Sequence, residues 1–163
     1  MTTRITATID PARSLTEART EHGYRILLDA VPPEGDDAAP GPKETLLAAL
    51  AGCTGMDVVS ILRKKRQRAA SYEIRVSGES ADEHPRVFTS ITVEHIVSGA
   101  VEAEALRRSI ELSATGYCPV NAMLSASVTI ENRYRLTAED GSTLEALVAV
   151  TGPDGPQVVG SAR

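Results

Sequence analysis

Alternation between apolar and polar side chains predicts five strands in this chain. The alternating runs are 5–9, 24–30, 72–76, 87–97 and 128–134. Strict alternation over a short run is typical of a strand that buries one face. Turn residues at 82–85 separate the third run from the fourth, so we expect these two strands to pair as an antiparallel hairpin.

A helical pattern follows the loop at 32–41, which is rich in proline and glycine. Pro42 suits the first turn, and Glu44 places a negative charge near the positive end of the helix dipole. Apolar side chains between residues 46 and 62 go almost all the way round this helix, which predicts a buried central helix. The basic residues 63–66 fall on its last turn, where positive charge stabilises the opposite end of the dipole.

Two further helices are predicted in the second half of the chain. The first begins after Ser98-Gly99 and ends at Gly116, and the second begins at Pro119. The element order β-β-α-β-β-α-α-β indicates an α+β domain with a mainly antiparallel sheet over residues 1–136. Residues 137–163 contain several glycines and prolines, so we expect either an extra hairpin or a disordered tail there.

Charge and hydropathy exclude several classes of function. The net charge is −5, and the basic residues form no stripe outside 63–66, so we expect no nucleic-acid interface. The first residues lack the apolar core of a signal peptide, and small and polar residues interrupt the apolar stretch 46–62, so we expect no membrane span. These features predict a cytoplasmic protein. In a reducing compartment, paired cysteines are more often catalytic, metal-binding or inert than structural disulfides.

The two cysteines, Cys53 and Cys118, are 65 residues apart, so only folding can join them. Gly52 and Gly55 flank Cys53 within the central helix at a cost of about 1 kcal/mol each relative to alanine, which suggests close approach by another backbone or a substrate. The alternative is that Cys53 is a small buried residue at a tight helix crossing. Pro119 would make Cys118 the N-cap of a helix, where backbone N–H groups favour a thiolate. Its alternative role is to fill the break between two helices.

Neither cysteine belongs to a C-x-x-C motif, and the three histidines show no metal-ligand spacing. We therefore expect no zinc or iron–sulfur site and no other metal or cofactor. His95 lies on the apolar face of its strand and is expected to be a core or interface residue. His22 and His84 lie in turns and are expected to be solvated. A Cys–His nucleophile has no local support in the sequence.

Two longer motifs point to one known family. Residues 42–59 read PKETLLAALAGCTGMDVV and residues 110–120 read IELSATGYCPV. They resemble the central-helix signature and the second-cysteine motif of the OsmC/Ohr family, which comprises osmotically inducible protein C and organic hydroperoxide resistance proteins. Residues 85–89 resemble the middle hairpin of that family. The resemblance extends over residues 24–134, and the chain looks closest to a less characterised OsmC-like branch.

The resemblance implies an intertwined homodimer whose sheets wrap around the central helices, with two sites at the subunit interface. It also implies a thiol-dependent peroxidase that reduces small organic hydroperoxides. In Ohr-like members the cysteine matching Cys53 attacks the peroxide and becomes a sulfenic acid. The cysteine matching Cys118 then resolves it to a disulfide, which a dithiol reductant such as a dihydrolipoyl protein reduces. The resemblance implies neither a metal nor a flavin, because the cysteines are themselves the redox centre.

The chain departs from that family pattern at two places. The peroxidases carry a glutamate directly after the proline, where this chain has Lys43. Glu44 is the nearest substitute, and we assign it the role of orienting the site. The peroxidases also hold the thiolate with an N-terminal arginine, for which Arg19 and Arg25 are the candidates.

The local sequence and the resemblance disagree on which thiol is more acidic. The helix N-terminus favours the thiolate of Cys118, whereas Asp57, one turn after Cys53, should disfavour that of Cys53. The resemblance nevertheless makes Cys53 the attacking residue, and we adopt that assignment. Two other functions remain open: a non-enzymatic dimer that binds a small apolar or reactive ligand or senses oxidation, and a structural pair of buried thiols.

Overall fold

The computed structural model describes residues 2–160, which fall into two compact units that divide between Ala48 and Ala49. The first unit contains an antiparallel sheet with the order β1-β2-β3. Its strands are β1 (Ile5–Ile9), β2 (Thr16–Thr20) and β3 (Arg25–Leu28). The alternating pattern missed β2, because its sequence TEART has Ala18 as its only apolar residue. Pairing on both sides nevertheless holds this stretch as the middle strand.

Helix α1 (Pro42–Lys64) begins at the predicted proline and ends on the basic residues. At its start, the backbone N–H of Gly41 donates a 2.7 Å hydrogen bond to the Glu44 carboxylate, as in half of a capping box. Glu44 therefore has a structural role in starting the helix, beside the dipole effect expected from the sequence.

The buried side chains of α1 lie four residues apart along a single stripe. They are Leu50, Thr54, Val58 and Leu62. The sequence predicts that this helix is buried on every side. Within a single chain, other residues cover only the face that carries this stripe, and Met56 is 74% exposed. Among the helices of residues 2–160, α1 alone is long and apolar enough to cross a membrane. The core helices of soluble proteins also meet that test, and Val58 and Leu62 pack into the core of the second unit.

The second unit is built on a five-stranded sheet with the order β4-β5-β6-β7-β8. The strands are β4 (Arg68–Ser80), β5 (Phe88–Ala100), β6 (Thr129–Thr137), β7 (Thr143–Thr151) and β8 (Gln157–Val158). Strands β4 and β5 form the predicted hairpin, in which Ile74 lies opposite His95. Strands β5 and β6 are parallel, because the chain crosses over between them through its second and third helices. All other pairings in this sheet are antiparallel.

The segment between β5 and β6 contains α2 (Ala103–Leu112), a π-helical turn (Ser113–Tyr117) and α3 (Pro119–Leu124). The sequence predicts one helix up to Gly116, but α2 stops at Leu112 and the chain continues as the wider turn. The backbone N–H of Cys118 donates to the Ser113 carbonyl in this turn. Wide turns of this kind frequently occur at functional sites.

The tail after Leu136 contributes to the same sheet, since β7 pairs with β6 and β8 pairs with β7. Val148 and Ala149 in β7 are fully buried in the core. The core itself combines α1, α2 and one face of the sheet. Its buried members are Val58, Leu62, Val97, Val101, Leu106, Ile110, Ala114, Tyr134, Leu136, Val148 and Ala149.

The histidines occupy the environments expected from the sequence. His95 is fully buried on β5, and its ring stacks on Tyr72 with the Nδ1 atom 2.6 Å from the tyrosine hydroxyl. Burial lowers the pKa of His95 to about 3, so the ring is neutral at physiological pH. His22 and His84 are exposed.

Candidate functional site

The fold brings the two cysteines together. Cys53 lies in the middle of α1, and Cys118 lies at the junction between the π-helical turn and α3. Their sulfur atoms are less than 4.8 Å apart, and both are free thiols. A pair this close can become a disulfide after a small side-chain rotation, which is the geometric requirement for a two-cysteine redox site.

Cys118 is the N-cap of α3, as the following proline predicts. The backbone N–H of Asn121 donates to its Sγ atom over 3.3 Å. The side chain is also buried, with only 2% of its surface exposed. Burial, reinforced by a hydrogen bond with Cys53, raises the pKa of Cys118 to about 12, and the N–H of Asn121 offsets this only in part. The expectation of an acidic Cys118 thiol is therefore wrong, because loss of solvent outweighs the helix N-terminus.

Cys53 is only partly buried, and its two neighbouring glycines have different surroundings. A Cβ atom on Gly55 would lie 3.1 Å from the Cδ1 atom of Ile74, so this glycine allows β4 to pack closely on the helix. A Cβ atom on Gly52 would meet nothing within 4 Å. Gly52 instead borders an open, mainly apolar groove of about 550 Å³ between α1 and β4. At Gly55 the close neighbour is a side chain of β4, and at Gly52 approach by a substrate through the groove stays a prediction.

A chain of hydrogen bonds joins α1 to the π-helical turn beside the thiols. The Ser113 hydroxyl donates to the Oδ2 atom of Asp57 over 3.0 Å. The Thr54 hydroxyl lies 3.0 Å from the Ser113 oxygen and donates to it, since the Ser113 proton is already engaged. Thr54 and Ser113 are almost completely buried, and a carboxylate oxygen of Asp57 lies within 4.8 Å of both sulfur atoms.

The Asn121 side chain fixes the segment that carries Cys118. It is buried, and its Nδ2 atom donates to the carbonyl of Ala114 over 2.9 Å and to the Thr151 hydroxyl oxygen over 3.1 Å. The amide thus ties α3 to the π-helical turn and to β7. Because its backbone N–H also contacts the Cys118 sulfur, Asn121 sets the position of that thiol.

Sequence reasoning gave no role to Thr54, Ser113 or Asn121, although all three lie in or beside the two cysteine motifs. All three are small polar residues within otherwise apolar helical segments, and this pattern in the sequence could have marked them as candidates for buried hydrogen bonds. Asp57 was expected only to repel the Cys53 thiolate. The structure adds its hydrogen bond to Ser113 and its proximity to Cys118.

The other three candidates from the sequence lie in the first unit, whereas the cysteines lie in the second. Arg19 and Arg25 face each other across β2 and β3, and both form ion pairs with Glu17. A hydrogen bond from Arg25, and a weaker effect of the hydrogen bond from Arg19, lower the pKa of the Glu17 carboxyl group. Glu44 is engaged with the backbone of Gly41. Their roles at the thiols stay predictions.

One group of three metal-ligating side chains converges within residues 2–160. It consists of Cys53, Asp57 and Cys118, whose ligand atoms all lie within 4.8 Å of one another. The sequence shows no such set, because metal-ligand motifs are recognised by short spacings and Cys118 joins the others only through the fold.

Comparison with known proteins gives the family. The family model described as "OsmC-like protein" matches residues 35–133. Protein YhfA of Escherichia coli K12 is 40% identical over 117 residues, which cover 71% of this chain and 85% of the relative. A hypothetical protein from Aquifex aeolicus VF5 superposes with a TM-score of 0.76 at 26% identity, covering 85% of this chain and 98% of that one. An organic hydroperoxide resistance protein OsmC from Legionella pneumophila shares the fold, with a TM-score of 0.61 at 15% identity over 81% of this chain and 95% of its own. The chain belongs to the OsmC-like protein family.

Proposed function

We propose that this protein is a thiol-dependent peroxidase that reduces organic hydroperoxides, with Cys53 as the attacking thiol and Cys118 as the resolving thiol. The observation that carries the proposal is the pairing of a partly exposed thiol with a buried one less than 4.8 Å away. Peroxide can reach the first sulfur more easily than the second. The family relationship and the name of the Legionella pneumophila neighbour support the choice of an organic hydroperoxide as substrate.

The proposed reaction has three steps: attack on the peroxide, formation of the disulfide and reduction of the disulfide. The Cys53 thiolate attacks one peroxide oxygen, the O–O bond breaks, and the leaving alkoxide takes a proton to form an alcohol while Cys53 becomes a sulfenic acid. The Cys118 thiol then attacks the sulfenic sulfur, giving a disulfide and one water molecule. An external dithiol, such as a dihydrolipoyl protein, reduces the disulfide and is itself oxidised. A cytoplasmic location fits this cycle, because the resting thiols must stay reduced.

The assignment of roles follows from accessibility. A buried Cys118 with a raised pKa stays protonated and is a poor first nucleophile. It becomes useful once the sulfenic acid forms next to it, since the reaction is then intramolecular and benefits from proximity. In this scheme Glu44 orients the site, and an arginine such as Arg19 or Arg25 assists the Cys53 thiolate.

The homodimer is part of the proposal. Apolar side chains on the uncovered face of α1, with Met56 as the most exposed, border the groove beside Gly52. Exposed apolar side chains beside a groove are typical of an interaction surface. A second copy of the chain would cover it and would enclose the groove next to Cys53.

One observation favours a second candidate function, a dimer that binds a small apolar or reactive ligand or senses oxidation without rapid turnover. A carboxylate oxygen of Asp57 lies within 4.8 Å of both sulfur atoms, where a positive group would be needed to stabilise an attacking thiolate. If neither Arg19 nor Arg25 reaches the thiols, a site with a carboxylate in that place would react slowly with peroxide. Slow oxidation suits a sensor or a ligand-binding module better than an efficient enzyme.

Steady-state peroxide consumption separates the two functions. With dihydrolipoamide as reductant, we expect the wild-type protein to consume cumene hydroperoxide at least about tenfold faster than hydrogen peroxide. We expect the Cys53→Ser variant to lose even the first turnover, and the Cys118→Ser variant to complete one turnover and stop. Thermal unfolding of both variants controls for loss of the fold. A wild-type protein that consumes neither peroxide would remove the peroxidase proposal and favour the sensor or ligand-binding module.

A further inference from the structure

We propose that the reduced site is also a binding site for a zinc-type divalent cation, with Cys53, Cys118 and Asp57 as its three protein ligands. The inference concerns binding and not turnover, so it stands independently of the peroxidase proposal. It rests on the convergence of two thiols and one carboxylate from separate segments of the second unit.

The donor set and its dimensions match the requirements of zinc. This cation takes thiolate sulfur and carboxylate oxygen in a tetrahedral arrangement, and an open site has three protein ligands with water in the fourth position. With bond lengths of about 2.3 Å to sulfur and about 2.0 Å to oxygen, ligand atoms in such a site lie about 3.5 to 3.8 Å apart. All three atoms here already lie within 4.8 Å of one another, so small side-chain rotations would close the site.

Neighbouring groups already hold two of the ligands in place. The Ser113 hydroxyl donates to the Oδ2 atom of Asp57, and Thr54 in turn hydrogen-bonds to Ser113. The backbone N–H of Asn121 donates to the Cys118 sulfur. Hydrogen bonds to ligand atoms of this kind orient the first ligands and typically raise metal affinity by about 10- to 100-fold.

Binding and oxidation exclude each other at this site. When the cation binds, each thiol releases its proton and uses a sulfur lone pair to form a metal bond, with no change in oxidation state. When the site is oxidised, the two sulfur atoms bond to each other and both soft ligands are lost. Bound cation therefore protects the thiols from peroxide, and the disulfide form of the same chain has no site for the cation.

The experiment measures metal binding to the full-length reduced protein under anaerobic conditions. Zinc affinity comes from competition with a chromophoric chelator, and Co²⁺ substitution reports thiolate ligation through its near-ultraviolet charge-transfer band. We expect one ion per chain, an affinity at least about tenfold weaker in Asp57→Asn, and roughly half the charge-transfer intensity in Cys53→Ser. Asp82→Asn is the matched control, because Asp82 is an exposed carboxylate in a turn, and we expect it to bind like the wild type.

Two results would overturn the proposal. The first is equal zinc affinity in the wild type, Asp57→Asn and Asp82→Asn, since the ion would then bind elsewhere, for instance at the exposed His22 or His84. The second is unchanged binding by the oxidised wild-type protein, which has the same sequence and therefore remains informative if a variant does not fold. Zinc binding without peroxide turnover would remove only the peroxidase, and turnover without zinc binding would remove only the metal site.

Discussion

Lowering the pH from 7 to 4 is expected to cost this fold about 3 kcal/mol through His95 alone. The ring is fully buried, and its pKa falls to about 3 from an unfolded value near 6.5 because burial disfavours the charged form. Between these two pKa values the unfolded chain binds the extra proton and the folded chain does not. Above about pH 6.5, His95 therefore costs the fold almost no stability. As the pH falls from 6.5 toward 3, the free energy of unfolding decreases progressively, because only the unfolded chain gains the proton.

The surroundings of the ring explain why protonation is unfavourable. Nδ1 shares a hydrogen bond with the Tyr72 hydroxyl, and Nε2 has no hydrogen-bond partner within the described part of the chain. An imidazolium would carry an N–H on both nitrogens and would leave the Nε2 proton unpaired in the core. The buried tyrosine stays neutral, since burial raises its pKa, and it offers no compensating charge.

Urea unfolding at several pH values, compared between the wild type and His95→Phe, isolates this effect. Carboxylates that titrate in the same range contribute to both proteins, so their effect cancels in the difference. The wild type should lose about 3 kcal/mol more than His95→Phe between pH 7 and pH 4. Parallel pH profiles for the two proteins would show that His95 is not buried in its neutral form.

The second large effect is expected at Asn121, where replacement by alanine should lower the free energy of unfolding by about 3 kcal/mol. The side-chain amide donates to the Ala114 carbonyl and to the Thr151 hydroxyl oxygen, both in the interior. Removing it leaves these acceptors without that donor and opens a cavity in a packed region. The segment carrying Cys118 would lose its tie to β7.

The chain offers a close control for this variant. Asn132 is equally buried, but its Nδ2 atom has no hydrogen-bond partner within residues 2–160. The Asn132→Ala variant therefore removes the same atoms with a smaller loss of hydrogen bonding, and we expect about half the destabilisation. Urea unfolding with linear extrapolation measures both variants. Equal losses would mean that the Asn121 hydrogen bonds contribute little beyond packing.

Local patterns in the sequence were sufficient for much of the fold. The alternating runs correspond to strands that precede and follow α1 in the chain, because a period-two pattern of side chains can be recognised from neighbouring residues alone. Strand β2 escaped this reading because a middle strand in a small exposed sheet can be polar on most positions. The parallel pairing of β5 and β6 also carries no local signature, since it depends on the path of the intervening helices.

At the candidate site, the local sequence predicts the geometry of Cys118 correctly but not the direction of its pKa shift. The Pro119 motif correctly gave the N-cap geometry of Cys118, which involves only the next three residues. The local sequence predicts a lowered pKa for Cys118, whereas burial raises it, and burial depends on residues that are distant in the chain. In the same way, the hydrogen bond between Thr54 and Ser113 joins residues 59 positions apart, and no spacing rule connects them.

The family relationship supplies what the local sequence cannot. Cys53 and Cys118 share no short motif, and only the family resemblance predicts that they act as a pair; in the structure their sulfur atoms lie less than 4.8 Å apart. The two departures from the peroxidase pattern, Lys43 after the proline and the lack of a clear match to the N-terminal arginine, are visible in the sequence.

The most direct test of the central claim is the fate of the two thiols after one equivalent of cumene hydroperoxide. We expect the reduced wild-type protein to lose both thiols together, and peptide mapping to show one disulfide between Cys53 and Cys118 of the same chain. The Cys118→Ser variant should instead carry a sulfenic acid on Cys53 that dimedone traps. Two thiols that survive the peroxide unchanged, or a sulfenic acid that forms first on Cys118, would contradict the account.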